Sequence, residues 1–138
     1  MAIDQTLTID TEQFFKNLVA FQKKTSVQFG KLLRKVALMI LKETVKNQED
    51  RRAVDTGLSV GNWQVMVGRD NDDIKGVGAS PVSDAVQQLY FLKNEGIGEV
   101  IFIFNNVEYT VYLEFGTEKM APRAMLRDAI NSVSMQLG

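Results

Sequence analysis

The feature that most constrains the fold is a long apolar stripe at helical spacing near the start of the chain. Across residues 11–48 apolar side chains recur mostly every three or four residues, at Phe14, Leu18, Phe21, Phe29, Leu32, Val36 and Ile40. The pattern predicts one long helix or two nearly collinear helices. We expect a kink or break at Gly30, because glycine in a helix interior costs roughly 1 kcal/mol relative to alanine.

The middle of the chain predicts one strand, one loop and one helix. Apolar and polar residues alternate over residues 62–68, which is typical of a strand, and Trp63 is expected in its core. Residues 69–80 are rich in Asp, Asn and Gly and predict a loop. Ser80 followed by proline predicts the start of a helix over residues 81–94.

The last third of the chain predicts a hairpin and a closing helix. Residues 99–106 and 108–115 are two β-rich runs separated by a short turn, so we expect them to pair with each other. Residues 121–137 predict the last helix. The fold class is therefore α+β, with a small antiparallel sheet packed against the long N-terminal helix and the C-terminal helix. We expect a single domain over residues 1–138.

Composition excludes several classes of function. The chain has 138 residues, a net charge of −1, no His and no Cys. It therefore has no Ser-His-Asp arrangement and no thiolate zinc site, although an oxygen-ligated cation stays open. The most apolar window is short and is interrupted by Lys42 and Glu43, so we expect no membrane segment. We expect a protein that is not an enzyme, with no catalytic, cofactor or metal site.

Acidic and basic side chains supply three candidate sites. Asp72 and its acidic neighbours read best as a solvated turn. Glu108 and Glu114 lie six residues apart on one predicted strand, roughly 20 Å along it, so we expect ordinary exposed carboxylates. The lysines of the long helix alternate with acidic residues and favour a solvated face, with contact to nucleic acid or a membrane as the alternative.

Five residues predict specialised backbone turns. Gly57 and Gly116 are expected to adopt positive φ or to allow a close backbone approach. Asn105 and Asn106 tolerate the left-handed conformation that a tight hairpin needs. Pro122 is expected to preset the first turn of the last helix.

Four segments together resemble a known family. They are VDTGLSVGNW at 54–63, FNNVEY at 104–109, LEFGT at 113–117 and KMAPRAML at 119–126. Their residues and order are similar to those of tail-completion and minor tail proteins of long-tailed bacteriophages. These are small head–tail joining proteins that include the minor tail protein Z group. Departures at Ala53, Glu108 and Ala124 leave the subgroup open.

The resemblance implies a structural virion protein, made in the host cytoplasm, that forms a homo-oligomeric ring at the end of a phage tail. Its implied partners are copies of itself in a ring, hexameric by resemblance, the tail tube protein and the head or neck connector proteins. A closed ring of this kind needs two different complementary patches on each subunit. DNA would pass through the ring without specific binding, and the net charge predicts a near-neutral or acidic lumen.

We expect one patch at the predicted hairpin and the loop that follows it, and the other on the long helix or on the loop over residues 69–80. Its candidate residues are Glu114, Phe115, Gly116, Thr117, Glu118, Lys119, Met120, Arg123 and Arg127. Lys119 and the two arginines are expected to pair with acidic residues of a neighbour, or the arginines lie on the exposed side of the last helix. The alternative function is a nucleic-acid-binding or regulatory module of a mobile element, acting through the basic side of the long helix.

Overall fold

The fold is a helical layer around one central helix, with a two-stranded sheet against it. The computed structural model describes residues 12–25, 29–51, 57–68, 71–76, 78–91 and 101–137. The helices are α1 (Glu12–Thr25), α2 (Phe29–Asp50), α3 (Leu58–Gly61), α4 (Pro81–Val86), α5 (Thr110–Phe115) and α6 (Met125–Leu137). The strands are β1 (Trp63–Val67) and β2 (Ile101–Asn105), and α4 continues as a π-helical turn over Gln87–Phe91.

The core lies around α2. This helix packs against α6, and α1 also packs against α6. The sheet and α4 cover other sides of α2. The buried apolar side chains come from all of these elements and include Leu18, Leu32, Val36, Ile40, Leu41, Trp63, Val65, Leu89, Met125, Ala129 and Val133. The predicted α+β class is confirmed, and so is the burial of Trp63, which is 2% exposed.

The sheet differs from the predicted hairpin. β2 pairs antiparallel with β1, from Trp63 opposite Asn105 to Val67 opposite Ile101. The predicted second strand of the hairpin, 108–115, is wrong because most of it forms α5. Asn105 Oδ1 accepts a hydrogen bond from Val107 N at 3.0 Å, which turns the chain out of β2. The two asparagines predicted to be left-handed are not, since Ala124 is the one non-glycine residue with positive φ in the described residues.

Burial explains why a β-rich run becomes a helix. Thr110 and Glu114 are buried, and Leu113 packs against the core. These positions are separated by three and four residues, which places them on one side of a helix. A strand would have sent Leu113 and Glu114 to opposite faces. Tertiary contacts therefore override the local preference for a strand.

The helix boundaries also differ from prediction. The expected segment 11–48 contains two helices, and residues 26–28 between them lie outside the described residues. Gly30 is not the break, because it lies in the first turn of α2. The last helix begins at Met125 rather than at residue 121, so Pro122 precedes it. Residues 92–94 of the helix predicted over residues 81–94 lie outside the described part of the chain.

Candidate subunit interface

A buried carboxylate joins α5 to the start of α6. Glu114 is 0% exposed. Its Oε1 accepts a hydrogen bond from Leu126 N at 2.7 Å, and its Oε2 accepts from Arg127 N at 3.2 Å and from Arg127 Nε at 3.0 Å. The carboxylate thus takes up free N–H groups at the positive end of α6. The expectation that Glu114 is an ordinary exposed carboxylate is wrong, whereas Glu108 is exposed.

Arg127 makes further contacts at this connection between α5 and α6, which we call the Glu114 joint. Its Nη2 donates to the backbone oxygen of Glu114 at 2.5 Å. Its guanidinium carbon lies 4.5 Å from the centre of the Phe115 ring. Such stacking of a cation on an aromatic face is favourable. Arg127 is therefore held inside its own chain, against the same corner that the sequence predicted as an interface.

Gly116 makes a corner that a side chain would block. Its φ is 77°, and an added Cβ would lie 2.6 Å from Met120 O and 2.7 Å from Pro122 N. Both distances are shorter than real Cβ contacts allow. The prediction that Gly116 needs positive φ and a close approach is confirmed. The positive φ predicted for Gly57 is also confirmed: it is 84°, at the residue before α3.

The chain after Gly116 forms a tight exposed turn. Thr117 N donates to Met120 O at 2.8 Å, and Met120 N donates back to Thr117 O at 3.3 Å. Lys119 N donates to Thr117 Oγ1 at 3.2 Å. The side chains of Thr117, Glu118 and Lys119 are exposed. The predicted loop is therefore an ordered turn that carries its polar side chains outward.

Aromatic side chains line the helix beside this turn. Tyr109, Tyr112 and Phe115 follow one another at intervals of three residues, so they lie along one side of α5. Tyr109 and Phe115 are more than one third exposed. We name this surface, Tyr109, Tyr112, Phe115 and the turn 117–120, the α5 corner. It combines aromatic area with polar groups at its edge.

The residues between the turn and α6 are held by α5 and by Arg51, the residue that follows α2. Arg123 N donates to Leu113 O at 2.7 Å, and Arg123 O accepts from Arg51 Nη1 at 2.6 Å. Arg51 also pairs with Asp128 at 2.7 Å. The Nε of Arg123 is buried and has no hydrogen-bond partner in the described residues. Arg123 therefore lies before α6, not on the exposed side of that helix.

A second joint, built from neutral groups, holds the turn between β2 and α5. Trp63 Nε1 donates to Gln48 Oε1 at 2.6 Å, and Gln48 Nε2 donates to Ser59 Oγ at 3.0 Å. Ser59 Oγ lies 2.8 Å from Thr110 Oγ1, which donates to Asn105 Oδ1 at 3.2 Å. These groups satisfy one another in the core, as buried polar groups must. The chain of bonds ties α2, α3 and β1 to the start of α5.

The loop after β1 is held by amide side chains. Asn106 Nδ2 donates to Asn71 O at 2.7 Å and to Asp73 O at 2.9 Å. Asn62 Oδ1 accepts from Lys75 N at 2.6 Å. Beside this loop, a cavity of about 260 Å³ is lined by Gln64, Val65, Met66, Asn71, Asp73, Lys75, Asp84, Gln87 and Gln88. Asn106 therefore holds the loop after β1 through its side chain and does not form the turn of a hairpin.

The comparisons with known proteins add no relative. Searches against protein-family models, curated proteins and solved structures found no match to this chain. Within the described residues, no three acidic side chains gather to hold a metal ion, and no helix is long and apolar enough to cross a membrane. Sequence reasoning missed the Glu114 joint, although the helical spacing of Thr110, Leu113 and Glu114 could have indicated it.

Proposed function

We propose that this chain is a structural subunit that forms a ring at the end of a phage tail and joins the tail to the head or neck. The observation that carries the proposal is the α5 corner, an exposed turn with aromatic neighbours on a rigid base. Aromatic residues are the ones most enriched where protein interfaces derive their binding energy. The proposed role of the corner is to contact a second copy of the chain or the adjacent tail protein.

The arrangement of the four family-like segments supports this role. The first and second segments meet where Asn105 Nδ2 donates to Ser59 O at 2.7 Å, and Thr110, the residue after the second segment, bonds to the side chains of both. The third and fourth meet through Glu114 and Leu126 and through the approach of Gly116 to Pro122. The segments therefore build one continuous frame under the α5 corner. A rigid frame lowers the entropic cost of docking, because little has to be ordered on contact.

The outer edge of β2 is a second surface suited to assembly. Within the described residues β2 has one strand neighbour, β1. Its sequence IFIFN contains no charged residue and no proline, and Phe102 is 36% exposed. Monomeric proteins usually protect such an edge with charges or proline. β2 itself carries neither, so its outer edge and the α5 corner would supply the two unlike patches that a closed ring requires.

Light scattering on the purified protein, alone and with phage tail tubes, tests the proposal. We expect the protein to form a particle of several copies on the tubes. In electron micrographs of intact tails, an antibody against the protein should label the end of the tube. The double variant Glu118→Ala with Lys119→Ala should weaken assembly at least tenfold, because it removes the two exposed charged side chains of the turn. The matched control, Asn131→Ala with Gln136→Ala, alters exposed residues of α6 and should assemble normally.

Two outcomes would contradict the ring. One is a protein that stays monomeric with and without tubes. The other is label distributed away from the tail end. A monomer that binds one duplex sequence tightly would instead support the alternative function, a nucleic-acid-binding or regulatory module of a mobile element.

A further inference from the structure

The exposed side of α2 carries a row of lysines. Lys31, Lys35, Lys42 and Lys46 are all exposed. Steps of four, seven and four residues return to nearly the same side of an α-helix. The first and last lie fifteen residues apart, or about 22 Å along the helix at its usual rise. We call these four residues the lysine row.

Within the described residues the charge of the lysine row is offset in part, because the exposed Glu49 follows Lys46 by three residues on the same side of α2. None of the four lysines forms an ion pair there, although Lys16 pairs with Glu12 and Lys75 pairs with Asp84. Lys31 lies four residues before Lys35, and Lys42 lies four residues before Lys46, so each pair brings like charges together. Such pairs destabilise a helix unless an anion lies beside them.

The basic residues of α2 divide by type. Arg34, the arginine of α2, points across the protein and donates from Nη1 to Leu89 O at 2.7 Å. The exposed basic residues of the same helix are all lysines. Arginine suits fixed, forked pairs with carboxylates, whereas lysine is a mobile point charge on a flexible stem. A row made of lysine alone fits a uniform polyanion that it can contact in many registers.

We propose that the lysine row binds the phosphate backbone of DNA without sequence preference. Duplex DNA offers a negative charge about every 1.7 Å along its axis, so a row of this length can lie along several phosphates at once. An acidic protein surface is a poorer match, because its charges are few and fixed in position. The row goes beyond the proposed ring: it gives the subunit a weak electrostatic contact to DNA in place of the inert lumen that net charge alone predicts.

Binding of a labelled duplex of random sequence, measured by fluorescence anisotropy across a range of NaCl, tests this assignment. The row variant is Lys35→Gln, Lys42→Gln and Lys46→Gln together. The control is Lys16→Gln, Lys23→Gln and Lys24→Gln, which removes three exposed charges from α1. Glutamine has nearly the helix propensity of lysine, so both variants should fold, and circular dichroism with a melting curve checks this.

We expect the row variant to bind at least tenfold more weakly at low salt. The slope of log affinity against log salt should fall by about 2 to 3, because each lysine–phosphate contact contributes about 0.9. The control should keep a slope close to that of the unaltered protein. Equal slopes in the two variants, or no binding by the unaltered protein at low salt, would overturn the assignment. Tighter binding to polyglutamate than to DNA would overturn it in favour of an acidic protein partner.

Light scattering on the same three proteins separates this inference from the ring. If the protein assembles but shows no salt-dependent DNA binding, the lysine row assignment is wrong and the ring proposal stands. If the protein binds DNA in a salt-dependent way but never assembles, the ring proposal is wrong and the lysine row assignment stands.

Discussion

The two joints on either side of α5 are built from different chemistry. At its end, the Glu114 carboxylate meets Arg127 and the N–H groups of α6. At its start, Thr110 and Asn105 join a network of neutral hydroxyl and amide groups. A buried charge that loses its partner costs far more than a buried hydroxyl does. The charged joint should therefore be the more sensitive of the two, and it is the one beneath the exposed turn.

Removing the charged joint gives the largest expected loss. Glu114→Ala leaves Arg127 Nε and the first N–H groups of α6 without their acceptor, and we expect a loss of about 3 kcal/mol of unfolding free energy. Urea unfolding followed by circular dichroism measures it. Glu114→Gln keeps one acceptor oxygen and should lose less. If both variants lose under about 1 kcal/mol, the charged joint is not the stronger one.

Blocking the close approach at Gly116 comes next. Gly116→Ala adds a Cβ against two backbone atoms and forces an alanine to positive φ, so we expect a loss of about 2 to 3 kcal/mol. The matched control is Gly78→Ala, which has φ of 92° but open space around its Cβ. It should lose about 1 kcal/mol from the backbone alone. Thermal melts of the two variants isolate the packing cost, and equal losses would show that the space around Gly116 does not matter.

The neutral joint should show a smaller loss. Thr110→Val keeps the shape of the side chain and removes the hydroxyl that connects Ser59 to Asn105, so we expect a loss of about 1 to 2 kcal/mol. Thr117→Val serves as the exposed control: its hydroxyl accepts from Lys119 N, but water can replace that bond, so the unfolding free energy should change by less than about 0.5 kcal/mol. A loss at Thr110 as large as that at Glu114 would contradict the contrast between the joints.

The smallest effect is expected at the ion pair outside both joints. Arg51 and Asp128 lie 2.7 Å apart, but their side chains are 35% and 47% exposed. Asp128→Ala should therefore lose about 0.5 to 1 kcal/mol, and the loss should shrink at high salt. Denaturant unfolding at two salt concentrations measures this. A salt-independent loss would indicate that Asp128 acts mainly through the backbone near it.

Part of the fold was accessible from sequence because it depends on local pattern. The helical period of residues 11–48, the alternation that places β1 and buries Trp63, and the need for positive φ at Gly57 and Gly116 are all local properties. Of the candidate interface, the sequence located the turn at 117–120. It placed Glu114 on the surface, because a carboxylate gives no local sign that a later helix will cover it.

The amino-acid sequence by itself determined where helical and extended segments tend to form and where the backbone needs glycine, because both depend on neighbours within a few residues. Only the tertiary structure decided that β2 pairs with β1 and that residues 110–115 form a helix. The reason is burial: Leu113 and Glu114 both face inward only in a helix, and there the carboxylate meets α6. Contacts between residues far apart in sequence outweigh the preference of a short run for a strand.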